Sequence, residues 1–364
     1  MAGPPLAADD PCLAELRDDV NLLLRRTFCT LQAVTMAIPG ASRAGIEAVL
    51  ASLIEPDDRV LVGVYGHFGE LLCTLAARHG ARVERVDAEW GRCVSPVEFV
   101  ETIERSTPKL AAIVHADTST GILQPLTAIS RACQASGTLF VVDAVLSLGG
   151  CEVGFDAWGI DVAIGGLQKC LGGPPGQALV ACSARAMTAR GSRASEPDTR
   201  YLDLQRLLNT SELGTPMLYA TREALRMIDE ETLELRWQRH AHASTALRAG
   251  VEAMGLEQFG DAEHRVPMIT LVRVPSGIDE AAVRQQLLEE HGVEIMAAFG
   301  PLRGQVWRIG TMGTNACQPS VLQTLAALEA VLSANGHKLS RGAAVDAARQ
   351  AFVILSAAKA AASG

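Results

Sequence analysis

From Arg59 to Ala181 the chain repeats one pattern: a short, nearly continuous apolar run, then a longer stretch with apolar residues on a helical period. RVLVGVYG, the helical FGELLCTLAARHG and ARVERVDAEW make a strand–helix–strand unit. SPVEFVETIERS then predicts a helix and LAAIVHAD a strand, LTAISRACQASG a helix and TLFVVDAV a strand. DVAIGGLQK and ALVACSA add two more strands. Strands this apolar are buried on both faces, so the pattern predicts an α/β fold with a mainly parallel central sheet covered by helices. In such sheets ligands sit beyond the carboxyl ends of the strands, and chemistry is sought there.

The rest of the chain reads differently. Residues 183–215 are polar with few apolar runs, which predicts a loop carrying one short helix. After Pro216 one helical pattern runs through MLYATREALRMIDEETLELRWQRHAHASTALRAGVEAMG, long enough to bridge two domains. Strand VPMITLVRVP, helix DEAAVRQQLLEEH, strands VEIMAAF and QVWRIGTM, and helix SVLQTLAALEAVLSANG follow, the order of a smaller α+β domain. The expected division is a large domain over 1–235, a small one over 236–353, and a frayed tail over 354–364. No internal repeat is present.

Composition narrows the function classes. Among 364 residues, 32 are basic and 41 acidic, a net charge of −9 without a clustered basic face, which argues against a nucleic-acid partner. No apolar stretch has membrane-spanning length free of charges and turn breakers. The start, MAGPPLAADDPCLAELRDD, has neither the basic nor the apolar region of a secretory leader, and the closing AASG is not an organelle address. The 9 cysteines are scattered singly, without a CxxC pair, as expected of reduced thiols in the cytosol, and no metal site is expected.

Three strand ends carry candidate chemistry. Asp143 closes the run TLFVVDAV, where an isolated Asp can equally cap a helix or turn. Lys169 closes DVAIGGLQK ahead of the turn CLGGPPGQA. Its apolar, glycine-rich flanks would desolvate the amine and lower its pKa, whereas the plain reading is a solvated charge. A carboxylate on one strand end and a lysine on the next are the two contacts that pyridoxal phosphate requires. The lysine forms the Schiff base and the acid holds the pyridine nitrogen protonated. The turn Pro39-Gly40-Ala41-Ser42 runs straight into an amphipathic helix with Arg43 in its first turn. A Ser-capped helix is the plain reading, but a cation there opposes the helix dipole unless an anion sits nearby. Thr118, in the run Thr118-Ser119-Thr120-Gly121, offers a hydroxyl to a cofactor oxygen or to its own loop. Phe68 is a ring that stacks on a heterocycle or fills the core. Arg308, inside the apolar VWRIGTMG, needs a carboxylate, either a structural Asp/Glu or a substrate's.

These residues carry a resemblance. PGASRAGIEAVL, HADTSTGILQPL, VVDAVLSLGG, GIDVAIGGLQKCLGGPPG, MLYATREALRMI and FGPLRGQVWRIGTMGTNA resemble the fold-type I, class V aminotransferases across nearly the whole chain. Within that class they are most similar to the alanine–glyoxylate and (S)-ureidoglycine–glyoxylate branch. GLQKCLGGP and WRIGTMG lie near the ureidoglycine side. The resemblance implies that Lys169 is the Schiff-base lysine and Asp143 the pyridinium partner. It puts Val145 behind the ring, Phe68 on its other face, and Thr118 and Gln168 on ring substituents. It puts Ala41, Ser42 and Arg43 on the phosphate and Arg308 on the substrate carboxylate. A homodimer is implied as well.

Two departures from the family pattern stand out. The Gly-Pro-rich opening that lines the family's substrate site is expected to be missing, so that the large domain starts short. The Tyr/Asn-His-His-Thr stretch that reaches the partner's phosphate reads Leu208-Asn209-Thr210-Ser211-Glu212 here, and a Glu would repel a phosphate. Ala41 and Leu167 also lack hydroxyls that relatives carry. The expected function is transamination with glyoxylate, or another keto acid, as acceptor and (S)-ureidoglycine of purine breakdown as donor. The alternatives are an alanine or serine donor, a pyridoxal phosphate-binding homologue with reduced or lost activity, and, less supported, desulfuration.

Overall fold

The structure is a computed structural model that describes residues 3, 6, 7, 9–209 and 214–362, with only the backbone of 358–362. Strands β1 (Val34–Pro39), β2 (Arg59–Val64), β3 (Arg82–Asp87) and β4 (Leu110–Val114) begin the chain's sheet. Two short strands, β5 (Ala116–Asp117) and β6 (Ile122–Leu123), pair as a hairpin beyond β4. β7 (Leu139–Asp143), β8 (Val162–Gly166) and β9 (Gln177–Cys182) complete a seven-stranded sheet of order β1-β9-β8-β7-β4-β2-β3. β2, β3, β4, β7 and β8 are mutually parallel, and β9 runs antiparallel to both β8 and β1. The helices that cover this sheet are α1 (Pro11–Thr27), α2 (Ser42–Leu53), α3 (His67–Arg78), α4 (Pro96–Ser106) and α5 (Thr127–Ser136). β4, β7, β8 and β9 are buried at every position, which is why their sequences read as unbroken apolar runs.

The polar stretch after β9 holds two helices rather than one, α6 (Ala184–Gly191) and α7 (Leu204–Asn209). It is tied down by a buried bidentate pair: Arg190 donates from Nε and Nη2 to Asp203 at 2.7 and 2.8 Å. The single long helix expected after Pro216 is also two, α8 (Thr215–Glu231) and α9 (Leu233–Ala253). Thr232 breaks them with φ 66° and ψ 149°, a conformation costly for a β-branched residue, and its side chain accepts from the Leu235 N–H to cap α9.

A second sheet follows. β10 (Ile269–Arg273), α10 (Glu280–His291), β11 (Met296–Ala297), β12 (Val306–Gly310), α11 (Gln318–Ala334) and α12 (Ala343–Ala362) give a three-stranded antiparallel sheet of order β10-β12-β11. Residues 354–362, expected as a frayed tail, continue α12 as helix. Position 236, the expected domain boundary, lies inside α9. Each sheet has its own apolar core, and a third cluster including Leu146, Cys170, Met268 and Val306 joins them. Among the described residues no helix is long and apolar enough to cross a membrane.

Candidate active site

The carboxyl ends of β1, β2, β4, β7 and β8 share one edge of the large sheet, and a cavity of about 170 Å³ opens there. Ala41, Ser42 and Arg43 reach it after β1, Phe68 after β2, Val114 at the end of β4, Ala116 in β5 and Thr118 just after it. Asp143, Val145 and Leu146 enter from β7, Gln168 and Lys169 from β8, and Ile46 from α2. Every residue singled out for the cofactor therefore lines one cavity. Ile46, Val114, Ala116 and Leu146 were not singled out; as small or aliphatic residues they carry no local sign that separates a cavity wall from a core.

Asp143 is buried, accepts a 3.0 Å bond from the Val145 N–H, and has no ion-pair partner among the described residues. Burial pushes its carboxyl up to about 7, against the pull of the Val145 amide; Asp117 raises it further and Lys169 lowers it. Lys169 is half-buried, and desolvation, reinforced by the Arg308 charge, lowers its pKa. A lysine whose charge burial disfavours thus shares a cavity with a carboxyl whose charge burial also disfavours.

At the other end of the cavity α2 begins. Ala41, not Ser42, is its N-cap and makes no side-chain cap bond, so the plain reading of a Ser-capped helix fails. Ser42 is buried, and its Oγ accepts from Gln168 Nε2 at 3.3 Å. β8 passes so close that a Cβ on Gly166 would lie 2.5 Å from that Oγ, so only glycine fits there. Arg43 is exposed and makes no ion pair among the described residues, and the first turn of α2 holds no acid. Helix N–H groups and a spare cation are what an anion needs.

Arg308 stands beside this cavity, on β12. It is 6% exposed; its Nε donates to the Ala297 carbonyl at 2.8 Å and its Nη1 to the Thr118 carbonyl at 3.1 Å. Its guanidinium lies 4.4 Å over the Phe299 ring. Burial lowers its pKa to about 10, with Asp117 opposing. No carboxylate within 4 Å pairs with it among the described residues, so the structural Asp/Glu expected as one alternative is not there. Phe299, with His67 stacked on it, was missed because nothing in FGPLRG distinguishes that ring from a core Phe. Of the stretch 208–212, Leu208 and Asn209 lie in α7, while Thr210–Glu212 falls outside the described residues.

Helix α9 braces both halves from behind. Arg236 donates to the Cys170 and Leu171 carbonyls just after Lys169. Arg239 donates to the Gly313 and Ala316 carbonyls after β12, and Glu231 pairs with both arginines. His240 bonds the Arg236 carbonyl through Nδ1 and accepts the Gly313 N–H at 3.0 Å through Nε2, so it is held neutral; burial lowers its pKa to about 4. Gly313 has φ 60°, and a Cβ there would come within 3.1 Å of the Lys169 carbonyl and the Gly172 Cα.

The donor set fits pyridoxal phosphate: among the described residues, a buried carboxyl that pairs with no cation and a buried Gln168 Oε1 that has no hydrogen-bond partner, together with a desolvated lysine and an anion-ready helix start. The family model described as aminotransferase class-V matches residues 31–305, and the chain belongs to that family of fold-type I, pyridoxal phosphate-dependent aminotransferases. It is 42% identical to the (S)-ureidoglycine–glyoxylate transaminase of Bacillus subtilis (strain 168), over 97% of this chain and 91% of the relative. It is 35% identical to an alanine–glyoxylate aminotransferase of Drosophila melanogaster, over 92% and 88%. The crystal structure of the ureidoglycine–glyoxylate aminotransferase from Bacillus subtilis superposes with a TM-score of 0.94 at 44% identity, covering 96% and 93%.

Proposed function

We propose that this aminotransferase uses glyoxylate as amino acceptor and (S)-ureidoglycine as donor, in the cytoplasm, as a homodimer, at a nitrogen-salvaging step of purine breakdown. The observation that carries the reading is the pairing of two incomplete sites. Lys169 and Asp143 line one cavity at the ends of adjacent strands, and beside it stands a buried Arg308 that pairs with no carboxylate among the described residues. The extent of identity to the ureidoglycine–glyoxylate relative, nearly end to end, supports the donor.

When bound, pyridoxal phosphate supplies an aldehyde that takes up amino groups and a ring that delocalises the electron pair left at the donor carbon. Around it, the large domain (1–235) would hold the cofactor and the small domain (236–353) the substrate carboxylate. Lys169 Nζ would hold the cofactor aldehyde between turnovers, and then take the donor Cα proton as general base and deliver it as acid to the carbon that had carried the aldehyde. Burial lowers its pKa, which favours the neutral amine that a base must be. Asp143 would keep a proton on the ring nitrogen by ion pairing, Val145 and Phe68 would fix the ring from either side, and Thr118 and Gln168 would bond its substituents. Ala41, Ser42 and Arg43 would hold the phosphate through backbone amides, a hydroxyl and a charge. Arg308 would bind the carboxylate that donor and acceptor share.

A donor screen tests the reading. The yellow holoenzyme is expected to bleach with (S)-ureidoglycine and to regain colour with glyoxylate. Faster bleaching by alanine or serine would move the donor assignment, and colour that no amino donor bleaches would leave only cofactor binding.

A further inference from the structure

We infer that Phe299, backed by His67, is a positioning residue that fixes the plane of the Arg308 guanidinium and leaves its remaining donors open to a carboxylate. The inference rests on the reading of Arg308 as the carboxylate site. Two carbonyls, Ala297 and Thr118, engage Nε and Nη1, while Nη2 makes no hydrogen bond among the described residues. The guanidinium carbon lies over the Phe299 ring, 4.4 Å from its centroid, so the ring closes that side of the group. The donors that remain are both Nη2 hydrogens and the second one on Nη1, enough for the two bonds that a carboxylate takes from a guanidinium. A ring on that face also removes water, which strengthens the remaining charge contact.

Phe299 itself sits between the end of β11 and a 3₁₀ turn and is only half-buried, so the small sheet alone does not fix it. His67 packs on it from the large-sheet side. It opens α3 on the large sheet, is exposed, and lies parallel to Phe299 with centroids 4.8 Å apart and planes 4° off. Phe68, the ring that lines the cofactor cavity, meets Phe299 edge-on at 5.9 Å and 74°. Guanidinium, phenyl and imidazole thus form one stack that spans the two sheets.

The test uses holoenzyme and three measurements: KM for donor and for glyoxylate, kcat, and the dissociation constant of acetate, which carries the carboxylate and nothing that reacts. Phe299→Ala is expected to raise both KM values and the acetate constant roughly 3- to 30-fold, the range of a desolvated cation–π contact, with kcat and cofactor absorbance nearly unchanged. Phe299→Tyr should restore them. Phe299→Leu, which keeps the apolar bulk and should fold even if the alanine variant does not, should fail to restore them. His67→Ala is expected to give a smaller rise, roughly 2- to 5-fold, reversed in His67→Phe. Arg308→Ala is run alongside. If it raises the acetate constant while Phe299→Ala and Phe299→Leu leave it unchanged, the positioning role is overturned and the Arg308 reading stands. If Arg308→Ala itself leaves that constant unchanged, the reading of Arg308 falls and the inference with it.

Discussion

Asp143 and Arg308 are both buried ionisable groups that form no ion pair among the described residues, yet the two halves of the site treat them differently. Asp143 has one backbone amide for company, and burial carries its carboxyl up to about 7, so near neutrality its charge is only half formed. Arg308 has two carbonyls and an aromatic face, and a pKa lowered to about 10 still leaves it charged. The small sheet presents a finished cation. The large sheet presents a carboxyl that acquires its full charge only beside a cationic partner, and the site is therefore built to be completed from the cofactor side.

That contrast can be broken at four places. Lys169→Ala should have the largest effect, lowering transamination by at least about 10³-fold and leaving no imine for borohydride to trap, because it removes the amine proposed to form the imine and carry the proton. An intact trappable imine in that variant would move the assignment elsewhere. Asp143→Asn should cost about 10²–10³-fold in kcat, the range for lost electrostatic stabilisation. The same variant exposes the sign of the burial effect. In cofactor-free protein the folded state keeps a proton on Asp143 that the unfolded chain releases between roughly pH 4 and pH 7, so stability falls across that window and is flat above it. The asparagine variant should lack this fall, and thermal melts of the cofactor-free protein from pH 5 to 8 would show it. A wild-type slope of the opposite sign would mean that Asp143 is already paired.

Arg308→Lys probes the finished half. It keeps the charge but loses the planar fork, and kcat/KM for both substrates should fall roughly 30-fold, about 2 kcal/mol, with cofactor absorbance unchanged. Loss of cofactor instead would make Arg308 structural. Arg43→Ala is the mildest change. An exposed cation at a helix start contributes about 0.3–1 kcal/mol to holding an anion, so cofactor affinity should weaken about 2- to 5-fold, and less at high salt. Dialysis against graded salt, followed by visible absorbance, measures it.

The large sheet was legible because it is buried on both faces: unbroken runs such as LFVV and VAIG leave little else for the chain to be. Strand ends then pointed to Asp143, Lys169 and Thr118 without further help. The small sheet was legible in outline, although β11 shrinks to two residues where VEIMAAF suggested a full strand. Thr232 was not legible, since a β-branched residue inside a helical period gives no warning of a positive φ; tertiary packing imposes it. β1 was missed because its six residues alternate only weakly before Pro39. The ring stack was out of reach for a different reason. His67 and Phe299 meet only once the two sheets are assembled, and neither neighbourhood carries a trace of the other.

The brace from α9 also sets an order in time. Synthesis delivers the amino-terminal part first. The turn bearing Lys169 is therefore made while the Cys170 carbonyl still lacks its partner, Arg236, which lies 66 residues downstream. His240 in turn waits for the Gly313 amide, a further 73 residues along. A nascent chain can thus close the large sheet long before it can lock the turn that bears Lys169.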